Sequence, residues 1–243
     1  MLKGVIFDMD GVLIDSHPAH LHAWSRLMAD LGREISTPDL AIILDGRKRE
    51  DILKHFLGEL SENDLRVFSK LKETYFAEVT HLVSPVPGVQ RLLKALNAAG
   101  LKVGVATSGA SARASEMLDR FELRCRVSTV VTGEDVENGK PDPAIFRLAA
   151  NRLGLDARSA VVFEDAVSGI RAAKAAGMLS IGIASGSRSE TLLDAGAAMV
   201  RPDFVGLELS EICSIVALSN DQSRRPAAAC VAPIADRCSV ARC

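Results

Sequence analysis

Residues 5–12 read Val5-Ile6-Phe7-Asp8-Met9-Asp10-Gly11-Val12, an apolar run that stops abruptly at two carboxylates, one residue between them, followed by glycine. A short apolar run of this kind reads as a buried central strand. Side chains alternate along a strand, so Asp8 and Asp10 leave its end pointing the same way. Two carboxylates aimed at one spot repel each other unless a cation lies between them. A hard ion such as Mg²⁺ is held by one or two carboxylates together with phosphate oxygens and water. The segment therefore reads as a candidate Mg²⁺-assisted phosphoryl-transfer site. Two other readings stand beside it. A calcium loop also uses Asp-x-Asp-Gly, but it needs further oxygen ligands and a closing Glu where this chain has Val12, Leu13 and Ile14. An acidic turn after a strand needs no ligand at all.

The 243 residues around this segment suffice for one large domain or two small ones. With 48% hydrophobic and 25% charged residues, the composition is that of a soluble globular protein. A net charge of −2 and a pI near 6.2 leave no electrostatic footprint for nucleic acid or an anionic membrane. The 4% of aromatic residues leaves little for base stacking. No apolar run reaches the roughly 18 residues a membrane helix needs. The N-terminus enters its strand without the charged-then-apolar layout of a signal peptide. Cys125, Cys213, Cys230, Cys238 and Cys243 show no zinc-finger spacing and are odd in number. The expected compartment is a reducing cytoplasm.

Further apolar runs at 101–106, 127–131, 160–163 and 179–183 alternate with helical patterns. Helices are predicted over 89–99, 143–153 and 169–176, each stopped by a glycine: Gly100, Gly154 and Gly177. Asp142 before Pro143 supplies an N-cap and a first-turn residue. This alternation predicts an α/β fold, a doubly wound, Rossmann-like parallel sheet with helices on both faces. Ligands of such sheets gather at the carboxyl ends of the strands. Residues 16–83 break the rhythm, with no β-like run. Leu21, Trp24, Leu27, Met28 and Leu31 have helical spacing, as do Leu65, Phe68, Leu71 and Phe76 after a start at Ser61, and 49–57 makes a shorter helix. The expected organisation is a core of 1–15 and 84–217 with an all-helical cap of 16–83 inserted as a lid, whose apolar stripe is its own core. Pro85-Val86-Pro87-Gly88 reads as a linker. After Leu218 the pattern dissolves, and 218–243 is expected to be a mobile tail without catalytic duty.

Four strand ends supply polar groups suited to moving a phosphoryl group. Asp8 would attack phosphorus as the nucleophile, giving an aspartyl-phosphate. Asp10 would protonate the leaving oxygen and then take a proton from the incoming water. The Thr107 hydroxyl and the backbone N–H groups that follow it, at Ser108 and Gly109, would bind non-bridging phosphate oxygens. Lys140 offers a compact charge to the phosphoryl group and to Asp8. Glu164 and Asp165 complete an acidic cup for Mg²⁺. Each signal taken singly is ordinary turn, loop or cap chemistry; their order along the chain is what is unusual.

Together, Phe-Asp-Met-Asp-Gly-Val-Leu-Ile-Asp-Ser (7–16), Val-Ala-Thr-Ser-Gly (105–109), Gly-Lys-Pro-Asp-Pro (139–143) and Val-Phe-Glu-Asp-Ala-Val-Ser-Gly-Ile (162–170) resemble the haloacid dehalogenase-like phosphohydrolase superfamily. The resemblance covers residues 2 to about 210 and is to the subgroup containing β-phosphoglucomutase and phosphoglycolate phosphatase. It implies Asp8 as phosphoryl acceptor and Asp10 as acid/base. It also implies Mg²⁺ held by the Asp8 carboxylate, the Asp10 carbonyl and Asp165, with Glu164 adjacent. Asp10 argues against carbon–halogen chemistry, because the dehalogenases lack it. In the lid, the resemblance to the mutase puts His20 and Trp24 on one helix face, although a packed lid histidine is an equal reading of His20. It makes Gly46-Arg47-Lys48-Arg49-Glu50-Asp51 a phosphate-gripping loop, with Arg49 at the gripping position. A cap lysine that the mutase uses on its sugar is read as absent, since Tyr75 and Phe76 occupy that stretch. The expected function is a Mg²⁺-dependent phosphatase of a small phosphorylated metabolite, a sugar phosphate, in a monomer or weak homodimer. The alternative is a β-phosphoglucomutase-like phosphomutase. A non-catalytic phospho-ligand sensor is the third reading; it would have lost Asp8, Asp10 or Lys140, and all three are present.

Overall fold

A computed structural model describes residues 1–222. The opening apolar run forms β1 (Gly4–Phe7), buried along its whole length. The chain turns at Gly11, whose φ of 76° favours glycine, into a two-residue strand, β2 (Ile14–Asp15). Four helices follow without an intervening strand: α1 (His17–Asp30), α2 (Thr37–Ile43), α3 (Arg49–Leu57) and α4 (Glu62–Glu78). Ser61 caps α4 by accepting the Asp64 N–H at 3.1 Å, as its position before the periodic stretch predicts. Helix α2 goes beyond the sequence expectation. Its signal is a capping box of Ser36 and Asp39 with a proline in the first turn.

The chain returns through β3 (Ser84–Pro85), which pairs antiparallel with β2. The Val86 N–H donates to the Leu13 carbonyl at 3.1 Å. The stretch expected as a linker is thus half of a two-stranded ribbon where the helical insert leaves and rejoins the sheet. Gly88 then opens α5 (Val89–Ala98) at φ 82°, and a Cβ there would stand 2.6 Å from the backbone of Phe204.

Strand and helix alternate from here: β4 (Lys102–Ala106), α6 (Ser111–Arg120), β5 (Thr129–Val131), α7 (Ala144–Leu153), β6 (Ala160–Glu164), α8 (Val167–Ala175), β7 (Leu179–Ile183), α9 (Ser187–Ala195), β8 (Met199–Arg201) and α10 (Leu209–Gln222). Pro143 itself precedes the first turn of α7, yet Asp142 still caps it, accepting the Ala144 N–H at 2.8 Å. Helix α10 runs past Leu218, where the pattern was expected to dissolve, because Ile212 and Val216 anchor it in the core. The rest of the expected tail, 223–243 with Cys230, Cys238 and Cys243, lies outside the described residues.

The sheet order is β5-β4-β1-β6-β7-β8, all parallel. The chain moves outward from β1 to β5 and then crosses to β6 on the other side, so the carboxyl end of β1 is the switch point where such folds bind ligands. Phe7 lies level with Val105 and with Phe163. The residues just beyond, Asp8 and Glu164, therefore emerge together, with Thr107 one residue further along its own strand end. Phe7 and Phe163 stack at 5.0 Å, and Phe204 meets them edge-on at 6.0 and 5.2 Å. Each such pair is worth about 0.5–1.5 kcal/mol beyond its buried area. The two strands that carry Asp8 and Glu164 are thereby locked to each other directly beneath the site.

Candidate active site

Two of the polar strand ends meet Lys140, on the loop between β5 and α7, in the interior. Lys140 Nζ, with its side chain fully buried, donates to Asp8 Oδ1 at 2.5 Å and to Glu164 Oε2 at 2.8 Å. Burial opposes its charge, but the two carboxylates outweigh that and hold the lysine firmly protonated. Burial also pushes Asp8 well above the usual carboxylate range; Lys140 opposes this, while Glu164, Asp10 and Asp165 add to it. Glu164 is raised as well, by burial first, against the pull of Lys140. Its other oxygen accepts the N–H groups of Asp165 and Ala166, both at 3.2 Å. Gly169 sits inside α8, where a Cβ would come within 2.0 Å of the Glu164 carboxyl carbon. Glycine at this helical position makes room for Glu164.

Carboxylate oxygens of Asp8, Glu164 and Asp165 lie within 4.8 Å of one another, and all three residues are buried. Oxygen donors with excess negative charge in a small space suit a hard divalent ion. With both Glu164 oxygens engaged, Asp8 and Asp165 are the side chains free to ligate directly. Asp165 is itself steered by His17 Nε2 and Arg188 Nη2, each 3.0 Å from Oδ2. Burial alone would lower His17, but its bond to Asp165 raises it.

The Asp10 carboxylate does not join this cluster, although the sequence reading counts it in the acidic cup. It is turned towards Arg113, whose two terminal nitrogens reach Oδ1 and Oδ2 at 2.8 and 2.7 Å. Ser16 Oγ donates to Oδ1 at 2.6 Å, and His20 Nε2 lies 3.3 Å from it. Burial would raise Asp10, but Arg113 and then His20 hold it well below the usual range. His20 Nδ1 meets Lys72 Nζ at 2.9 Å. Burial and the neighbouring Lys72 bring His20 down to about 3, and burial brings Lys72 down to about 7. A neutral His20 therefore accepts from Lys72 at Nδ1 and donates to Asp10 through Nε2.

Lys72 corrects the expectation that the insert lacks a site lysine. It lies one turn before Phe76 on α4, buried and 4.9 Å from that ring, and lines the same pocket as Asp8 and Asp10. Tyr75 points elsewhere, its hydroxyl donating to Asp30.

Thr107 is buried beside Asp8, its hydroxyl accepting the Gly109 N–H at 3.1 Å. Ser108, expected to meet phosphate through its backbone N–H, sends its hydroxyl to the Gly46 carbonyl at 2.6 Å, tying the loop before α3 to the sheet. Arg49 lines the pocket but is held by its own insert, 3.2 Å from the Ser69 carbonyl and 3.4 Å from Glu73 Oε1. Trp24, Ile43, Leu44 and Ile52 form the apolar part of the wall. The pocket between insert and sheet is a narrow cavity of about 80 Å³. His17, Lys72, Arg113 and Arg188 were missed in the sequence. Their helical positions carry no local signal of which way each side chain faces.

The chain matches the haloacid dehalogenase-like hydrolase family over residues 5–183. It is 35% identical over 227 residues to a phosphorylated carbohydrates phosphatase of Thermotoga maritima, covering 87% of this chain and all of that protein. It is 35% identical over 178 residues to hexitol phosphatase A of Escherichia coli, covering 72% of this chain and 80% of that one. A β-phosphoglucomutase structure from Clostridium difficile superposes with a TM-score of 0.81 over 91% of this chain and all of that chain, at 24% identity, a likeness of fold. Among the described residues no helix is long and apolar enough to cross a membrane.

Proposed function

The chain belongs to the haloacid dehalogenase-like hydrolase family, and from that premise we propose a Mg²⁺-dependent phosphatase of a small phosphorylated carbohydrate, working through an aspartyl-phosphate on Asp8. The observation that carries the reading is the buried Asp8–Lys140–Glu164 contact at the switch point, on the floor of the pocket. Lys140 keeps Asp8 ionised and aimed, and its charge stands ready for the phosphoryl oxygens. Attack by the Asp8 carboxylate forms the aspartyl O–P bond and breaks the substrate's P–O bond, while Asp10, which rests ionised beside Arg113, relays the proton of a substrate monoanion to the departing oxygen. Water then attacks phosphorus and returns a proton to Asp10, and Asp8 leaves as carboxylate. Asp8, Asp165 and the Asp10 carbonyl would hold the Mg²⁺, with Glu164 behind them. When bound, the ion supplies charge neutralisation for carboxylates and phosphate together. The Thr107 hydroxyl and the Ser108 N–H would receive the remaining phosphate oxygens, since the Gly109 N–H is turned to Thr107 itself.

Two features favour carbohydrate monophosphates. The relatives that align over most of both chains act, by their names, on phosphorylated carbohydrates and on hexitol phosphates. Arg49, the natural clamp for a second phosphate, is already engaged by Glu73 and Ser69. A phosphomutase is the second reading, favoured by Lys72 and His20 meeting beside Asp10. The test is a phosphate-release screen over sugar and sugar-alcohol phosphates and short phosphorylated acids, run beside an assay for interconversion of glucose 1- and 6-phosphates. Free phosphate from a carbohydrate monophosphate supports the phosphatase. Isomerisation with little free phosphate overturns it in favour of the mutase.

A further inference from the structure

The Arg113 guanidinium is buried between two walls. On one side lies the Phe76 ring, 5.2 Å from Cζ. On the other lies Gly109, where a Cβ would stand 2.1 Å from Nη2. Gly109 is not among the residues of positive φ, so glycine serves there for space and not for a turn. The channel it leaves lets the arginine send both terminal nitrogens to Asp10, at 2.8 and 2.7 Å. A two-pronged contact of this kind fixes the plane of a carboxylate as well as its place.

The other contacts on Asp10 are unequal. Oδ1 also takes Ser16 at 2.6 Å and His20 at 3.3 Å, while Oδ2 takes Arg113 Nη2 at 2.7 Å. Each carboxylate oxygen has room for about two hydrogen bonds. Oδ1 is full, and Oδ2 keeps one open direction.

Resting on the phosphatase reading, we propose that Arg113 is a positioning residue for Asp10, that Gly109 lacks a side chain to admit it, and that the open side of Oδ2 is the one presented to the reacting oxygens. In the first half-reaction the proton brought by a substrate monoanion passes through Oδ2 to the leaving sugar oxygen as Asp8 bonds phosphorus. In the second, Oδ2 takes a proton from the attacking water as the Asp8–phosphorus bond breaks.

The leaving group separates this role from a merely structural one. A sugar oxygen needs the proton to depart, whereas 4-nitrophenolate does not. With R113M, sugar-phosphate kcat should fall on the order of a hundredfold, the scale of a lost general acid, with KM within about threefold. The same variant on 4-nitrophenyl phosphate should release its first equivalent of nitrophenolate per site at close to the wild-type rate, then turn over slowly. R113K, with the charge but one prong, should fall between. G109A should reproduce R113M, and the double variant should be no worse than either single one. Added guanidinium should restore part of R113M activity and none of D10N activity. Equal losses on both substrates in the first turnover, a change confined to KM, or no guanidinium rescue in an enzyme whose burst counts full sites would overturn the role of Arg113 alone. A wild-type enzyme with neither burst nor turnover would instead overturn the phosphatase reading and this proposal with it.

Discussion

Burial raises the Asp8 carboxyl, and its carboxylate neighbours add to that against the pull of Lys140. An acid whose folded value lies above its unfolded one favours the fold less and less as pH climbs through the window between them. At neutral pH the Asp8 charge therefore costs stability, and Asp8→Asn should hold or raise the melting temperature in metal-free buffer while turnover falls below about a thousandth of wild type. Lys140 keeps Glu164 as a partner in that variant, so no buried cation is stranded. Thermal unfolding beside a phosphate-release assay checks both halves; wild-type turnover in the pure variant would remove Asp8 from its role. Lys72 follows the opposite rule. Its folded value near 7 lies below the 10.5 of an exposed lysine, so stability rises with pH between about 7 and 10.5, where the unfolded chain binds more protons. Its charge in the folded protein fades around pH 7, and KM for a phosphorylated substrate should rise roughly ten- to a hundredfold from pH 6 to pH 9, the value of a charge-assisted contact. Lys72→Arg, whose charge does not titrate there, should flatten that rise; an equally steep profile in that variant would mean that substrate ionisation alone produces it. The two kinds of residue were unequally legible. Asp8, Thr107, Lys140, Glu164 and Asp165 stand out because polar groups interrupt apolar runs. Lys72 and Arg113 sit in amphipathic helices among other charges, and only the packing of Phe76 and the gap at Gly109 reveals them.

The loop between α2 and α3 is the element that closes the pocket against the sheet. Ser108 Oγ holds the Gly46 carbonyl, the Ser168 N–H reaches Asp45 Oδ1 at 3.1 Å, and Lys48 Nζ donates to the carbonyls of Val136 and Glu137 at 2.7 and 3.0 Å. Gly139 leaves room for the lysine stem, since a Cβ there would lie 2.6 Å from Lys48 Cγ. Hydrogen bonds of a charged donor contribute about 1.5–3 kcal/mol. Lys48→Met should therefore loosen closure, raising KM about tenfold without lowering kcat, as steady-state kinetics on the best substrate would measure. A fall in kcat at constant KM would instead place Lys48 in the chemistry. The strand–helix alternation was readable because period-two and period-3.6 patterns differ locally. This latch and the β2–β3 ribbon were not, because both consist of contacts between segments distant in sequence, and Pro85-Val86-Pro87-Gly88 looks like a loop until Ile14 lies beside it.

For the molecule as a whole, the two halves of the chain contribute unlike charges to one space. The sheet offers Asp8, Glu164 and Asp165 with Lys140 among them; the insert offers Lys72, Arg47 and Arg49 on the opposite wall. A monophosphate ester fits between the two sets once a divalent ion has reversed the local excess of negative charge on the sheet side. A ligand that binds the folded state alone stabilises it by mass action. Mg²⁺ should therefore raise the melting temperature of the wild-type chain, and Asp165→Asn should weaken that rise. Chelation should bring phosphate release to background, and Mg²⁺ should restore it. Calcium should restore it poorly, because its larger radius and looser coordination would leave the ester out of line with Asp8. Calcium should nevertheless raise the melting temperature, since the three buried carboxylates attract any hard divalent ion. Binding and turnover thus separate: both ions stabilise, and one supports the reaction. Full activity after exhaustive metal removal, or equal activity with the two ions, would mean that Lys140 alone neutralises the transferring group and that the acidic cluster serves only to hold the lysine.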